Sequence, residues 1–258
     1  SDGVGELAAA KRGGDVPEGW KLAVVFLTRL PLPLASPPPL TAAVPWFPVV
    51  GALLGLAAGG VYAGLTLAGM PSLPASLVVL AVLVIATGAL HEDGLADCAD
   101  GLGPHDRARR LEVMRDSRIG SFGVMALILV TLARLAGLAA LWAPWMQVTT
   151  LVVVGAASRT AMVALLATLP PARGDGLGAG AGTPDGRGVA VALAVPFALA
   201  LVLLEPAQAL LLLATGAVAC AVWAQVARRC FGGHTGDVLG AGQQLVEAAM
   251  LLAVTVVR

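Results

Sequence analysis

The sequence is poor in charge: 12% of its residues are Asp, Glu, Lys or Arg, against 58% hydrophobic. Soluble globular chains carry about 25% charged residues, so this balance excludes an ordinary water-soluble enzyme. Cysteine is scarce as well. Cys98, Cys220 and Cys230 are three thiols with no C-x-x-C spacing, which excludes a fully paired disulfide scaffold. With no His/Cys cluster beside them, a zinc site is not expected either. The sixteen basic and sixteen acidic side chains cancel, leaving no net positive charge with which to hold nucleic acid. The N-terminus lacks a basic stretch leading into an apolar core and a cleavage site, so no signal peptide is expected.

What the chain has in abundance is long apolar runs. Residues 45–69, 73–90, 122–143, 147–169, 189–204, 207–227 and 238–257 are seven candidate spans. At about 1.5 Å of helix rise per residue they match a hydrocarbon core of roughly 30 Å. The expected fold class is all-α: a polytopic helical integral membrane protein of about seven spans. Pro196 bends the run 189–204 without forbidding it, because neighbouring helices can satisfy freed backbone groups. The stretch 20–34, broken by Arg29, Pro31 and Pro33, is too short to cross. It reads as an interfacial or re-entrant segment ahead of the turn Pro37-Pro38-Pro39. Residues 1–19 read as a flexible tail and 20–258 as one membrane-embedded catalytic domain.

Seven spans alternate the connections between two sides. One side collects Lys11, Arg12, Lys21, Arg29, the five arginines of 107–118, Arg173, Arg187, Arg228 and Arg229; the other holds Arg258. That asymmetry puts the N-terminus and the loops 91–121, 170–188 and 228–237 in the cytoplasm. The glycine-rich run 173–188 lacks helical periodicity and reads as a linker, with a lid as the alternative.

The densest chemistry is His91-Glu92-Asp93-Gly94-Leu95-Ala96-Asp97-Cys98-Ala99-Asp100, four carboxylates within nine residues. If the preceding apolar run continues as helix, Asp93, Asp97 and Asp100 fall within an arc of about 60°, while Glu92 points elsewhere. Like charges so placed repel unless something neutralises them, and a hard divalent cation does so. The expected cofactor is Mg²⁺, with Mn²⁺ possible in its place, and the candidate ligands are Glu92, Asp93, Asp97 and Asp100. The bland alternative is a solvated acidic cap on a helix. Downstream, Arg115 and Arg118 suit bidentate contact to phosphate oxygens, so acids and arginines together suggest a diphosphate substrate. A third patch, Gly232-Gly233-His234-Thr235-Gly236-Asp237, offers Asp237 as a helix cap or further ligand and His234 as a substrate contact or plain turn residue. Arg134, Arg159 and Glu247 lie inside spans. They line a polar cavity reaching inward, on which reading Arg134 and Arg159 contact substrate, or they bind helices to one another.

The runs His91 to Gly103, Arg115 to Gly123 and Gly233 to Ala241 resemble the cobalamin synthase family, the adenosylcobinamide-GDP ribazoletransferases, and Phe26 to Pro33 is similar to that family's opening. The resemblance implies a bacterial inner-membrane, Mg²⁺-using enzyme that joins α-ribazole, or its 5′-phosphate, to adenosylcobinamide-GDP with release of GMP. It adds Arg29 to the substrate-binding candidates. A ribose hydroxyl would attack the cobinamide-linked phosphorus, with Arg115 and Arg118 on the phosphates and Asp116 or Asp237 taking the proton. The expected partners are the two substrates and the lipid bilayer, and an oligomer is compatible with this reading. Two alternatives remain: a CDP-alcohol phosphotransferase or prenyltransferase, whose usual aspartate patterns differ from Asp-x3-Asp-x2-Asp, and a cation transporter, which needs carboxylates near the bilayer midplane.

Overall fold

The computed structural model describes residues 16–34, 38–174 and 182–256, and among these no strand occurs. Helix α1 (Val16–Leu27) begins four residues before the expected start of the N-terminal segment, and the chain is non-helical from Thr28 to Leu34. Residues 1–15 of the expected tail, residues 175–181 of the glycine-rich run and Arg258 lie outside the described residues.

A short turn of helix, α2 (Leu40–Ala43), and a 3₁₀ turn lead into α3 (Phe47–Leu67). Then follow α4 (Ser72–Thr87), α5 (Leu90–Gly101), α6 (Arg107–Val113), α7 (Ser121–Ala139), α8 (Pro144–Thr168), α9 (Gly186–Leu203), α10 (Pro206–Cys230) and α11 (Gly236–Val254). The chain is a polytopic helical membrane protein: among the described residues six helices are long and apolar enough to cross a bilayer, and α4 qualifies only together with α5, from which it is bent by 90°. Pro196 sits inside α9 without ending it.

The apolar run before the acidic cluster does not continue straight through it. Gly88 (φ 65°) and Ala89 (φ 57°) take left-handed conformations that end α4, and α5 leaves at 90°. A side chain at Gly88 would overlap that of Arg29, so the glycine both makes the turn and admits the arginine. With four carboxylates in twelve residues, α5 cannot continue a hydrocarbon crossing, and we read α4 as the crossing and α5 as the segment that emerges from it.

Helices α8 and α11 are the inner pair. In their most apolar stretches 83% and 78% of residues are buried, against 22% for α7, α9 and α10. Helix α3 lies against α8 through Gly51, Gly55 and Gly59, where any Cβ would run into the backbone of Gly155, Leu151 and Val148. Small residues every fourth position let helix backbones meet where water supplies no hydrophobic drive between them.

Candidate active site

The site forms where α5 and α11 meet. Gly94 makes the approach possible: a Cβ there would stand 2.8 Å from the Asp237 carbonyl oxygen and 2.9 Å from its Cα. Thr235 caps α11, its hydroxyl oxygen accepting from the Val238 N–H (3.2 Å) and its hydroxyl donating to Asp237 Oδ2 (3.2 Å). Asp93 and Asp97 from α5 therefore share one acidic mouth with Asp237. Burial, then the charges of Asp93, Asp237 and Asp100, pushes the Asp97 carboxyl up to about 7. The opposing charge is Arg173, held by donation to the Leu111 carbonyl (2.9 Å) and carrying a buried Nε with no partner. Sequence reasoning missed Arg173 as a site residue, having counted it only as part of a linker's charge.

All the donors at this mouth are oxygens. Among the described residues no three His, Cys, Asp or Glu side chains converge as a metal cage. The set fits Mg²⁺, which is commonly held by one or two carboxylates and completes its shell with water and substrate phosphates, and it does not fit zinc.

Asp100 is engaged elsewhere. Its carboxylate accepts from the backbone N–H groups of Gly120 (2.7 Å) and Gly123 (2.8 Å), capping α7 from twenty residues upstream. A side chain at either glycine would collide with that carboxylate. Asp100 thus ties the loop 114–120, with exposed Arg115 and Arg118, to the acidic helix. On that loop Arg118 forks onto Asp116, its NH2 group 2.6 Å from Oδ2 and its Nε 3.0 Å from Oδ1. The guanidinium holds the Asp116 carboxyl down at about 2. Arg107 and Arg110 reach across to the carbonyls of Phe231 (2.8 Å) and Cys230 (3.4 Å), fastening α6 to the end of α10.

The remaining candidates lie apart from the mouth's carboxylates. Glu92 points away from Asp93 and accepts from Arg134 (3.1 Å) and Gln244 (3.0 Å). Arg134 also reaches Glu247 (2.7 Å), whose other oxygen meets Arg159 (2.9 Å) and Gln243. Two carboxylates and two guanidinium groups thus cancel inside the bundle and join α5, α7, α8 and α11. Both arginines are only 3% exposed, the geometry of helices bound to one another rather than of an open polar cavity. Arg29 lies over the Gly88 turn, its backbone N–H donating to the Ala86 carbonyl (2.8 Å). His234 is buried, its backbone exchanging hydrogen bonds with Pro170 (2.8 Å) and Ala172 (2.9 Å). Its ring borders a cavity of about 360 Å³ with Pro170 and Thr183, Nδ1 is without a partner, and burial holds the imidazole below its ordinary pKa.

Relatives that share the chain at nearly full length include three that are each described as an adenosylcobinamide-GDP ribazoletransferase. The protein of Azorhizobium caulinodans is 41% identical over 91% of this chain and 94% of its own. Those of Bradyrhizobium diazoefficiens and Mesorhizobium japonicum are each 44% identical, over 90% and 91% of this chain and 91% and 92% of their own. No solved structure matches. Residues 19–255, from the first helix to the end of the last and including every carboxylate and arginine of the mouth, match the family described as cobalamin-5-phosphate synthase, and the chain belongs to that family.

Proposed function

We propose that this protein joins α-ribazole, or its 5′-phosphate, to adenosylcobinamide-GDP and releases GMP, at a mouth facing the cytoplasm of a bacterial inner membrane. The observation that carries the reading is the acidic mouth of Asp93, Asp97 and Asp237 beside Arg173, in a chain collinear with relatives of that name. The cytoplasmic orientation rests on the arginine count of the loops on the mouth's side.

The reaction needs a diphosphate held against acidic side chains, a hydroxyl deprotonated as it attacks, and charge stabilised on the departing phosphate. Mg²⁺ held by Asp93 and Asp97 would offset the diphosphate's charge and that of the leaving GMP. Arg115, Arg118 and Arg173 supply guanidinium donors to the phosphate oxygens, Arg118 exchanging its internal partner Asp116 for substrate. The ribose hydroxyl oxygen forms the new bond to the cobinamide-linked phosphorus, its proton passes to Asp237, and the bond to GMP breaks. Asp237 suits the proton better than Asp116, because a carboxyl held at about 2 by its arginine is a poor base. A transporter reading is weaker, since Glu247, the one carboxylate deep in a span among the described residues, is tied to two arginines.

The test is direct. Full-length protein reconstituted in liposomes with Mg²⁺, adenosylcobinamide-GDP and α-ribazole should release one GMP per cobamide formed, both followed by chromatography. Absence of GMP release from well-inserted protein would overturn the assignment. Release that persists in excess chelator would remove the metal and keep the reaction.

A further inference from the structure

Away from the mouth, α9 packs on α8 and α10 packs on α11, while α9 and α10 touch one another sparingly. Between them lies a groove of about 570 Å³ floored by α8. Its wall on α10 runs from Leu213 through Ala217 and Ala221 to Arg228. Fifteen residues of helix cover roughly 22 Å, more than the ~15 Å depth of one leaflet's hydrocarbon. The walls are mostly apolar: the Thr160 hydroxyl is turned to the Ala156 (3.1 Å) and Ala192 (2.9 Å) carbonyls, and Thr168, Gln225 and Arg228 gather at one end. Arg228 is exposed and donates to the Thr168 carbonyl (3.1 Å) at the close of α8, and exposed Arg229 follows it. This end belongs to the mouth's side of the membrane, since the next two carbonyls, Cys230 and Phe231, are those that Arg110 and Arg107 grip.

We propose that the groove holds one anionic phospholipid of the leaflet on the mouth's side, an acyl chain along Ala217 and Ala221 and the phosphate at Arg228. Three features converge on that occupant. The groove is long enough to take an acyl chain through the depth of one leaflet. It presents exposed small side chains where a chain must lie, and its cationic end stands where a headgroup phosphate would be. A nucleotide or corrinoid would find few polar partners along its length, since the Thr160 hydroxyl already donates to the Ala192 carbonyl (2.9 Å).

Native mass spectrometry of the full-length protein, released from detergent after incubation with phosphatidylglycerol or phosphatidylcholine, tests this. One phosphatidylglycerol should stay bound at activation energies that strip phosphatidylcholine. Arg228→Gln should lower the retained fraction about fivefold, the contribution of one arginine near an anionic surface. Ala221→Phe and Ala217→Phe, on exposed positions that disturb no buried packing, should each abolish retention, while Leu129→Phe on the lipid-facing side of α7 should not. Equal retention of both lipids, or retention unaffected by both phenylalanine variants, overturns the proposal. So does a dimer in the wild type that Ala221→Phe converts to monomer, which would make the occupant a second copy.

Discussion

Asp97 stands among like charges, and its protonation should therefore report on the mouth. Its carboxyl is raised from an ordinary value of 3.8 to about 7 by burial and by Asp93, Asp237 and Asp100. Between those two values the folded protein binds more protons than the unfolded chain, so stability without metal should fall as pH rises from about 4 to 7. A bound cation reverses the sign by favouring the charged form. Mg²⁺ should lift the thermal midpoint more at pH 8 than at pH 5.5, and its apparent Kd should rise by up to about tenfold per pH unit below 7. A metal-induced shift independent of pH would remove Asp97 from the ligands. Arg118 offers a second test at the same scale. Its fork already fits a carboxylate, and a phosphate of the substrate presents the same pair of acceptors. Arg118→Lys should lower kcat/KM about ten- to a thousandfold with Mg²⁺ affinity unchanged. Near-normal turnover in equally inserted protein would leave Arg115 and Arg173 as the phosphate contacts.

Helix α5 shows which parts of the site a sequence can reveal. Asp93 and Asp97 fall on one face because helical phase is local, and that inference survives the 90° turn at Gly88 since it needs only the twelve residues of α5. Asp100 shares the arc, yet its partners are the Gly120 and Gly123 N–H groups, a tertiary pairing that no periodicity encodes. The two glycines were the available signal, small residues at a helix entrance that must admit a carboxylate. Glu92 was legible as facing away, but Arg134 and Gln244 as its partners were not. Arg173 was hidden because it opens a glycine-rich run with no pattern, and only the folded chain brings it to Asp97. The capping role makes a prediction about the element. Asp100→Ala should free the loop 114–120 and raise protease cleavage there, with KM rising severalfold through misplaced Arg115 and Arg118, while Mg²⁺ binding is kept. Unchanged proteolysis would show the loop to be anchored by other contacts. Gly94→Val should act differently, forcing α5 from α11 and weakening metal binding itself.

Across the whole molecule, the spans were readable because apolar length and composition are properties of each segment alone, whereas the seating of α3 on the inner helix α8 depends on the contacts that Gly51, Gly55 and Gly59 allow. Topology can be read with single cysteines in a protein lacking the native three. His105→Cys should resist a reagent confined to the periplasm and Trp142→Cys should accept it, both positions being exposed, and the reverse pattern would invert the mouth. The ion-pair set decides between the two roles open to the intramembrane arginines. Glu92, Arg134, Glu247 and Arg159 sum to zero charge, and removing one carboxylate leaves a guanidinium uncompensated in a medium of low dielectric constant. Breaking such a buried pair costs about 3–5 kcal/mol, whereas removing both partners is often close to neutral. Glu247→Gln alone should therefore lower the thermal midpoint sharply. Glu247→Gln with Arg159→Gln restores neutrality, keeps amide hydrogen bonds available to Ser158 and Gln243, and should recover most of that loss. The two substitutions would then show a coupling of opposite sign to their separate effects, measurable by a double-mutant cycle on unfolding in detergent. Turnover should return with stability in the double variant if Arg159 only joins helices. A double variant that is stable, inserted and inactive would place Arg159 on the substrate, and the charged pair would then be the floor of a binding site whose upper wall is the acidic mouth.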